Sequence, residues 1–193
     1  MQDRIVLTHG AGSNREAPLL VALDLEFTTL GFTVERLDLA FRRARPSGPP
    51  RPGDAAQDRA QLAEHLERLR SDGGGRVFLG GHSYGGRQSS MLLAERPKLA
   101  DGLLLLAYPL HPPGKPAQLR TAHFPELRVP VLFVSGGKDE FGSEEELRLA
   151  MQAIPSRRKT LRIFLGLRHD LGGGRKGVAG LIAAAFQEVI LES

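Results

Sequence analysis

"RVFLGGHSYGGRQSSMLLAE", residues 76–95, crowds four glycines around Ser83. A short apolar run leads into the serine and a helical pattern leads away from it. The central five residues, Gly81 to Gly85, therefore read G-x-S-x-G on a strand–turn–helix. That spacing has a mechanical reason. A nucleophile elbow holds its serine in strained backbone geometry, and the flanking strand and helix approach so closely that side chains at the glycine positions would collide. The hydroxyl is thereby presented above the sheet edge. A tight turn that merely needs glycine would share the pattern; the strand before and the helix after favour the elbow.

Working outward, short apolar runs alternate with helix-like segments. Strands are expected at 4–8, 32–39, 76–80, 102–107, 131–135 and 160–165. Residues 17–30 carry Leu19, Leu20, Leu23, Phe27 and Leu30 near helical spacing, and Gly31 is a stop signal. Asp54, with Gln57 three residues on, can cap a helix whose apolar stripe is Leu62, Leu66 and Leu69. Further helices are expected at 85–95, 143–153 and 176–191. Continuously apolar strands separated by amphipathic helices imply a parallel sheet covered on both faces. The expected architecture is α/β, in one domain over residues 1–193. Four prolines and two glycines in residues 42–54 argue against regular structure there. Neither that stretch nor the proline-rich 108–129 has the periodicity of a helical lid.

A serine hydroxyl needs a base, and the base needs an orienting acid. In this architecture the chain order is Ser, then Asp or Glu, then His. Of the histidines after Ser83, only His169 follows the last expected strand and precedes the last helix. That loop falls at the C-terminal edge of the sheet, where open α/β folds place their sites. Asp139 lies just past the strand at 131–135 and is the candidate acid; its neighbour Glu140 is the weaker alternative. The N–H of Tyr84, following the serine, points toward a developing oxyanion at a helix N-terminus. The second donor is expected from the loop after the first strand, "THGAGSN", with the Ala11 N–H first and Gly12 next. The same loop lacks the spacing of a dinucleotide fingerprint.

These residues resemble the α/β-hydrolase superfamily, more narrowly its small lidless, dienelactone-hydrolase-like members. "LTHGAG", "GGHSYGG", "YPLHPPGKP", "VPVLFVSGGKDEFG" and "LRHD" carry the resemblance, in order along nearly the whole chain. It implies a minimal, mostly parallel six-stranded α/β-hydrolase fold with helices on both faces, no lid domain, and the first two strands swapped in spatial order. It also implies a serine hydrolase of small-molecule carboxylic esters or thioesters, with Ser83, Asp139 and His169 as the catalytic set. Dienelactone hydrolases proper use a cysteine nucleophile, and this chain has Ser83 instead, so their substrate does not carry over.

Composition narrows the alternatives. The chain has no cysteine, which excludes disulfides, thiolate zinc sites and a cysteine nucleophile. The apolar run Ile5 to Leu7 is too short for a signal peptide, and no run approaches a membrane span, so the expected location is cytoplasmic. The net charge of +4 resides mostly in 21 Arg against 5 Lys. With no Trp, two Tyr and no recognisable motif, a nucleic-acid partner is not expected. No cofactor or metal is expected: neither His82 nor His9 has partners at ligand spacing, and both read as structural. His65 reads as solvent-facing. Tyr108 and His111 could line the pocket or merely stiffen a surface loop. The arginines at 42–51 (Arg42, Arg43, Arg45 and Arg51) follow the second strand and sit toward the active-site edge, where they favour anionic substrates or form a mobile rim. The rival from another class is a catalytically silent hydrolase fold serving as a protein-interaction module.

Overall fold

The computed structural model describes residues 2–191. Its centre is one sheet of β1 (Arg4–Thr8), β2 (Thr33–Leu37), β3 (Val77–His82), β4 (Gly102–Leu106), β5 (Val131–Gly136) and β6 (Lys159–Phe164). All five pairings are parallel and the spatial order is β2-β1-β3-β4-β5-β6. The chain reverses direction across the sheet after β2. Every later strand then adds on the far side of β1, so the first two strands are swapped as expected. The alternating pattern at 32–39 belongs to an edge strand, and β2 is one.

Six helices cover the sheet: α1 (Pro18–Thr29), α2 (Ala40–Ala44), α3 (Asp54–Ser71), α4 (Tyr84–Glu95), α5 (Glu144–Met151) and α6 (Val178–Phe186). The period of two along each strand divides the core. Val6, Leu103, Leu105, Val131 and Phe133 pack with Leu62, Leu66, Leu93 and Leu147 from α3, α4 and α5. Ile5, Leu7, Leu104, Leu106 and Leu132 face the other way, onto Leu20, Leu23 and Ile182 from α1 and α6. On that second face Phe27, Phe32, Phe78 and Phe186 meet edge-to-face, with centroids 5.3–6.3 Å apart. Such aromatic pairs contribute about 0.5–1.5 kcal/mol each beyond the area they bury. Among the described residues no helix is long and apolar enough to cross a membrane.

Three local expectations need correction. Residues 42–44 are helical, in α2, because tertiary contacts override the proline signal that starts at Pro46. The Phe41 N–H donates to the buried Asp58 carboxylate at 2.9 Å, and the Phe41 ring is buried. Asp54 starts α3 but does not cap it. Its carboxylate reaches backward to the Arg51 N–H (2.6 Å) and to the Arg45 guanidinium, while Gly53 at φ 93° occupies the N-cap. That left-handed backbone is open to glycine at little cost. The C-terminal helix also ends differently from its pattern. After Phe186 it widens into a π-turn, Gln187–Leu191, whose Val189 and Ile190 carbonyls accept from the Arg158 guanidinium.

Candidate active site

The elbow is built by close approach. Ser83 lies between β3 and α4 at φ 51°, ψ −114°, a backbone region that a residue with a side chain rarely enters. It is held there from both neighbouring strands: the Ser83 N–H donates to Leu106 O at 2.8 Å, and the Gly85 N–H to His9 O at 3.1 Å. A Cβ at Gly81 would lie 2.4 Å from Gly86 N, and one at Gly85 would lie 2.5 Å from His9 O. The glycines are there because strand, helix and first loop touch through bare backbone.

His169 arrives on the loop after β6. That loop crosses the end of β5 so tightly that a Cβ at Gly136 would meet Leu167 O at 2.4 Å. The Lys138 N–H donates to Leu167 O at 2.9 Å, and His82 Nε2–H donates to the His169 carbonyl at 2.8 Å. Burial lowers the pKa of His82, against the opposing effect of the hydrogen bond to the His169 carbonyl. Phe141 stacks on the His169 imidazole at 4.1 Å between centroids, 30° from parallel.

So placed, His169 Nε2 lies 2.7 Å from Ser83 Oγ, and Nδ1 lies 2.9 and 3.0 Å from the two Asp139 carboxylate oxygens. An ionised carboxylate only accepts, so Nδ1 carries the proton and Nε2 is free to accept from the serine. The Asp139 side chain is almost fully buried and also accepts from the Phe141 N–H at 2.9 Å. Residues 83, 139 and 169, far apart in sequence, thus form one hydrogen-bonded line. Glu140, the alternative acid, has no part in it.

Ser83, Tyr84 and Ala11 line an open cleft of about 510 Å³ at the C-terminal edge of the sheet. Within the described residues the amide N–H groups of Ala11, Gly12 and Tyr84 make no hydrogen bond. The Ala11 loop is clamped from behind by Arg42, whose guanidinium donates to Ser13 O (2.7 Å), Ala11 O (2.9 Å) and Gly48 O (3.1 Å). His9 completes the clamp: its Nδ1–H donates to Gly10 O, and its Nε2 accepts from the Leu39 N–H. Below, the Tyr84 hydroxyl donates to Asp58 at 2.6 Å, and burial together with that carboxylate raises the phenol pKa far above its usual range.

Several expected positions fall elsewhere. Tyr108 does not line the cleft; it is buried against Phe124 and Phe133, its hydroxyl donating to Arg120 O at 2.6 Å. His111 is buried too, between Pro112 O and the Glu146 carboxylate that closes the capping box of α5. Apolar rings follow the core, and a loop that packs inward takes its polar side chains along. His65 is half-buried against Glu35 rather than solvent-facing. Of the arginines at 42–51, Arg42 is consumed in the clamp and Arg45 pairs with Asp54, so neither faces a substrate; Arg43 is exposed outside the cleft, and Arg51 lines it. Unforeseen were Phe141, two residues after Asp139, and Arg87, one turn after Ser83; both spacings were visible. Arg120, in the irregular stretch, had no local signal.

Beneath the cleft Ser90 Oγ lies 2.8 Å from His123 Nε2. Burial, then the charges of Arg87 and Arg59, push the pKa of His123 down from 6.5 to about 4. The unfolded chain therefore takes up a proton on this histidine as the pH falls below about 6.5, while the folded chain does so only near 4. The stability this group contributes is present above pH 6.5 and lost as the pH falls through 4. Thermal melts between those values should show a falling midpoint, with a shallower fall in His123→Gln.

Residues 1–178 match the alpha/beta hydrolase domain family. The chain belongs to that family. A protein of the α/β-hydrolase superfamily from Xanthomonas campestris pv. campestris is 25% identical, with a TM-score of 0.68 over 96% of this chain and 98% of that one. Dienelactone hydrolase from Anabaena variabilis is 20% identical (TM-score 0.75; 98% and 87% covered). Monoacylglycerol lipase from Paleococcus ferrophilus is 17% identical (TM-score 0.72; 98% and 95% covered). The α/β-hydrolase domain described here has six parallel strands and, among the described residues, no extra unit of lid size.

Proposed function

We propose that this chain, as a single hydrolase unit, cleaves small-molecule carboxylic esters or thioesters through an acyl-enzyme on Ser83. The observation that carries the reading is the unbroken line Asp139–His169–Ser83, with its 2.9 Å and 2.7 Å links. Ser83 Oγ attacks the carbonyl carbon while its proton passes to His169 Nε2. The negative oxygen of the tetrahedral intermediate accepts from the Ala11 and Tyr84 N–H groups, each donor contributing about 3–4 kcal/mol in the transition state. Collapse breaks the ester bond, and His169 returns the proton to the departing alcohol or thiol. Water then repeats the cycle on the acyl-enzyme and frees the acid. Asp139 holds the ring in the required tautomer and stabilises the imidazolium.

The test is labelling by a fluorophosphonate, which phosphonylates an activated serine. Wild-type protein should be labelled, and Ser83→Ala and His169→Ala should not. A folded wild type that resists the probe would instead favour the silent interaction module.

A further inference from the structure

The Ser83 cleft is lined by three arginines, Arg51, Arg87 and Arg120, and by no Asp or Glu. Elsewhere Arg36, Arg45, Arg70, Arg76 and Arg96 each meet a carboxylate, and Arg4, Arg42 and Arg158 donate to backbone carbonyls. Among the described residues Arg87 and Arg120 meet none. Arg87 has its Nε buried without a partner, and Arg120 has only a long 3.4 Å contact to Pro109 O. Burial first, and then the neighbouring Arg87, lower the pKa of Arg120, as expected for like charges held close together. Arg51 stands at the rim, its charge partly answered by Asp54.

Two guanidiniums facing one hollow without a counter-charge repel each other and focus a positive potential at its floor. Planar forks of N–H donors match the oxygens of a carboxylate or phosphate. Arg87 sits one turn beyond Ser83 on α4, so an anion bound there lies within the length of a small acyl ester attached at the serine. We propose that Arg87 and Arg120 bind a carboxylate or phosphate group of the substrate, so that the esters this enzyme prefers are anionic. The inference rests on the hydrolase reading for its chemistry, but the anion site stands on the arginines alone.

The kinetic arm compares p-nitrophenyl hemiglutarate with p-nitrophenyl methyl glutarate, which has nearly the same length and no charge. The charged ester should show a kcat/KM at least about tenfold higher, with the ratio shrinking between about 20 and 500 mM salt as screening grows. Arg87→Gln and Arg120→Gln should each reduce the ratio several-fold, whereas Arg43→Gln, an exposed cation outside the cleft, should leave it in place. The binding arm titrates glutarate and inorganic phosphate onto Ser83→Ala; whichever binds more tightly names the group, and Arg87→Gln in that background should weaken it. A wild-type ratio near one at low salt, with no saturable binding of either anion, would overturn the proposal while leaving an active esterase intact. Should neither ester be cleaved and the fluorophosphonate fail, the hydrolase reading falls and the two titrations still decide the anion site. If the arginine variants do not fold, the salt series and the titrations need none of them.

Discussion

Ester hydrolysis should collapse by about 10⁶-fold in kcat when Ser83 is replaced by alanine, and by a similar factor in His169→Ala. Asp139→Asn should cost less, about 10⁴-fold, because the amide keeps the geometry and favours the wrong tautomer. With an NH₂ group at 139, His169 would turn Nδ1 into the acceptor and present Nε2–H to a serine that needs a base. The three losses should not add. Once Ser83 is gone the imidazole has no proton to take, so the triple variant should be no slower than Ser83→Ala. A residual rate should survive from the Ala11 and Tyr84 amides, which none of these changes touches. Steady-state rates on one activated ester, with circular dichroism to show that each variant folds, decide the matter. Additive losses would mean that the three side chains do not act as one unit.

Gly81→Ala should be among the most damaging single-methyl changes available to this chain. The new Cβ would lie 2.4 Å from Gly86 N, 2.5 Å from Gly85 C and 2.5 Å from Thr8 Oγ1. Two of the three are backbone atoms of the elbow, and the third is a buried side chain already bonded to Gly80 O. None can swing away, so strand and helix must part. Overpacking of this kind costs about 3 kcal/mol or more, which in a chain of this size lowers the thermal midpoint by about 6–12 °C. The displacement would also carry Ser83 Oγ off the imidazole, so fluorophosphonate labelling should fail even in the folded fraction. Gly12→Ala is the stability control: a Cβ there meets nothing within 4 Å. A midpoint for Gly81→Ala within a degree of wild type would show that the elbow is looser than its contacts imply.

The elements that were legible were those with a local cause. Ser83 announced itself because close backbone approach admits only glycine at 81 and 85. The inner strands showed because a sheet covered on both faces is apolar there, as in the run Leu103 to Leu106, and the edge strand β2 showed by its partial alternation. Asp139 and His169 could be named in order, from their places after the fifth and sixth strands. What the local pattern misjudged was decided by distant partners. Residues 42–44 are helical through Asp58 and the first loop, and Tyr108 and His111 turn inward although their proline-rich surroundings suggested a rim.

Read alone, then, the chain specified the order of strands and helices and the bend that exposes a serine, because periodicity and glycine act over a few neighbouring residues. Which charges are cancelled and which are left facing the hollow was settled only by folding. Arg42 and Arg87 are the same residue type, yet one is spent on four carbonyls and the other has a buried nitrogen with no partner. Charge pairing depends on groups brought together from across the chain, and a guanidinium shows nothing in sequence of where its counter-charge lies.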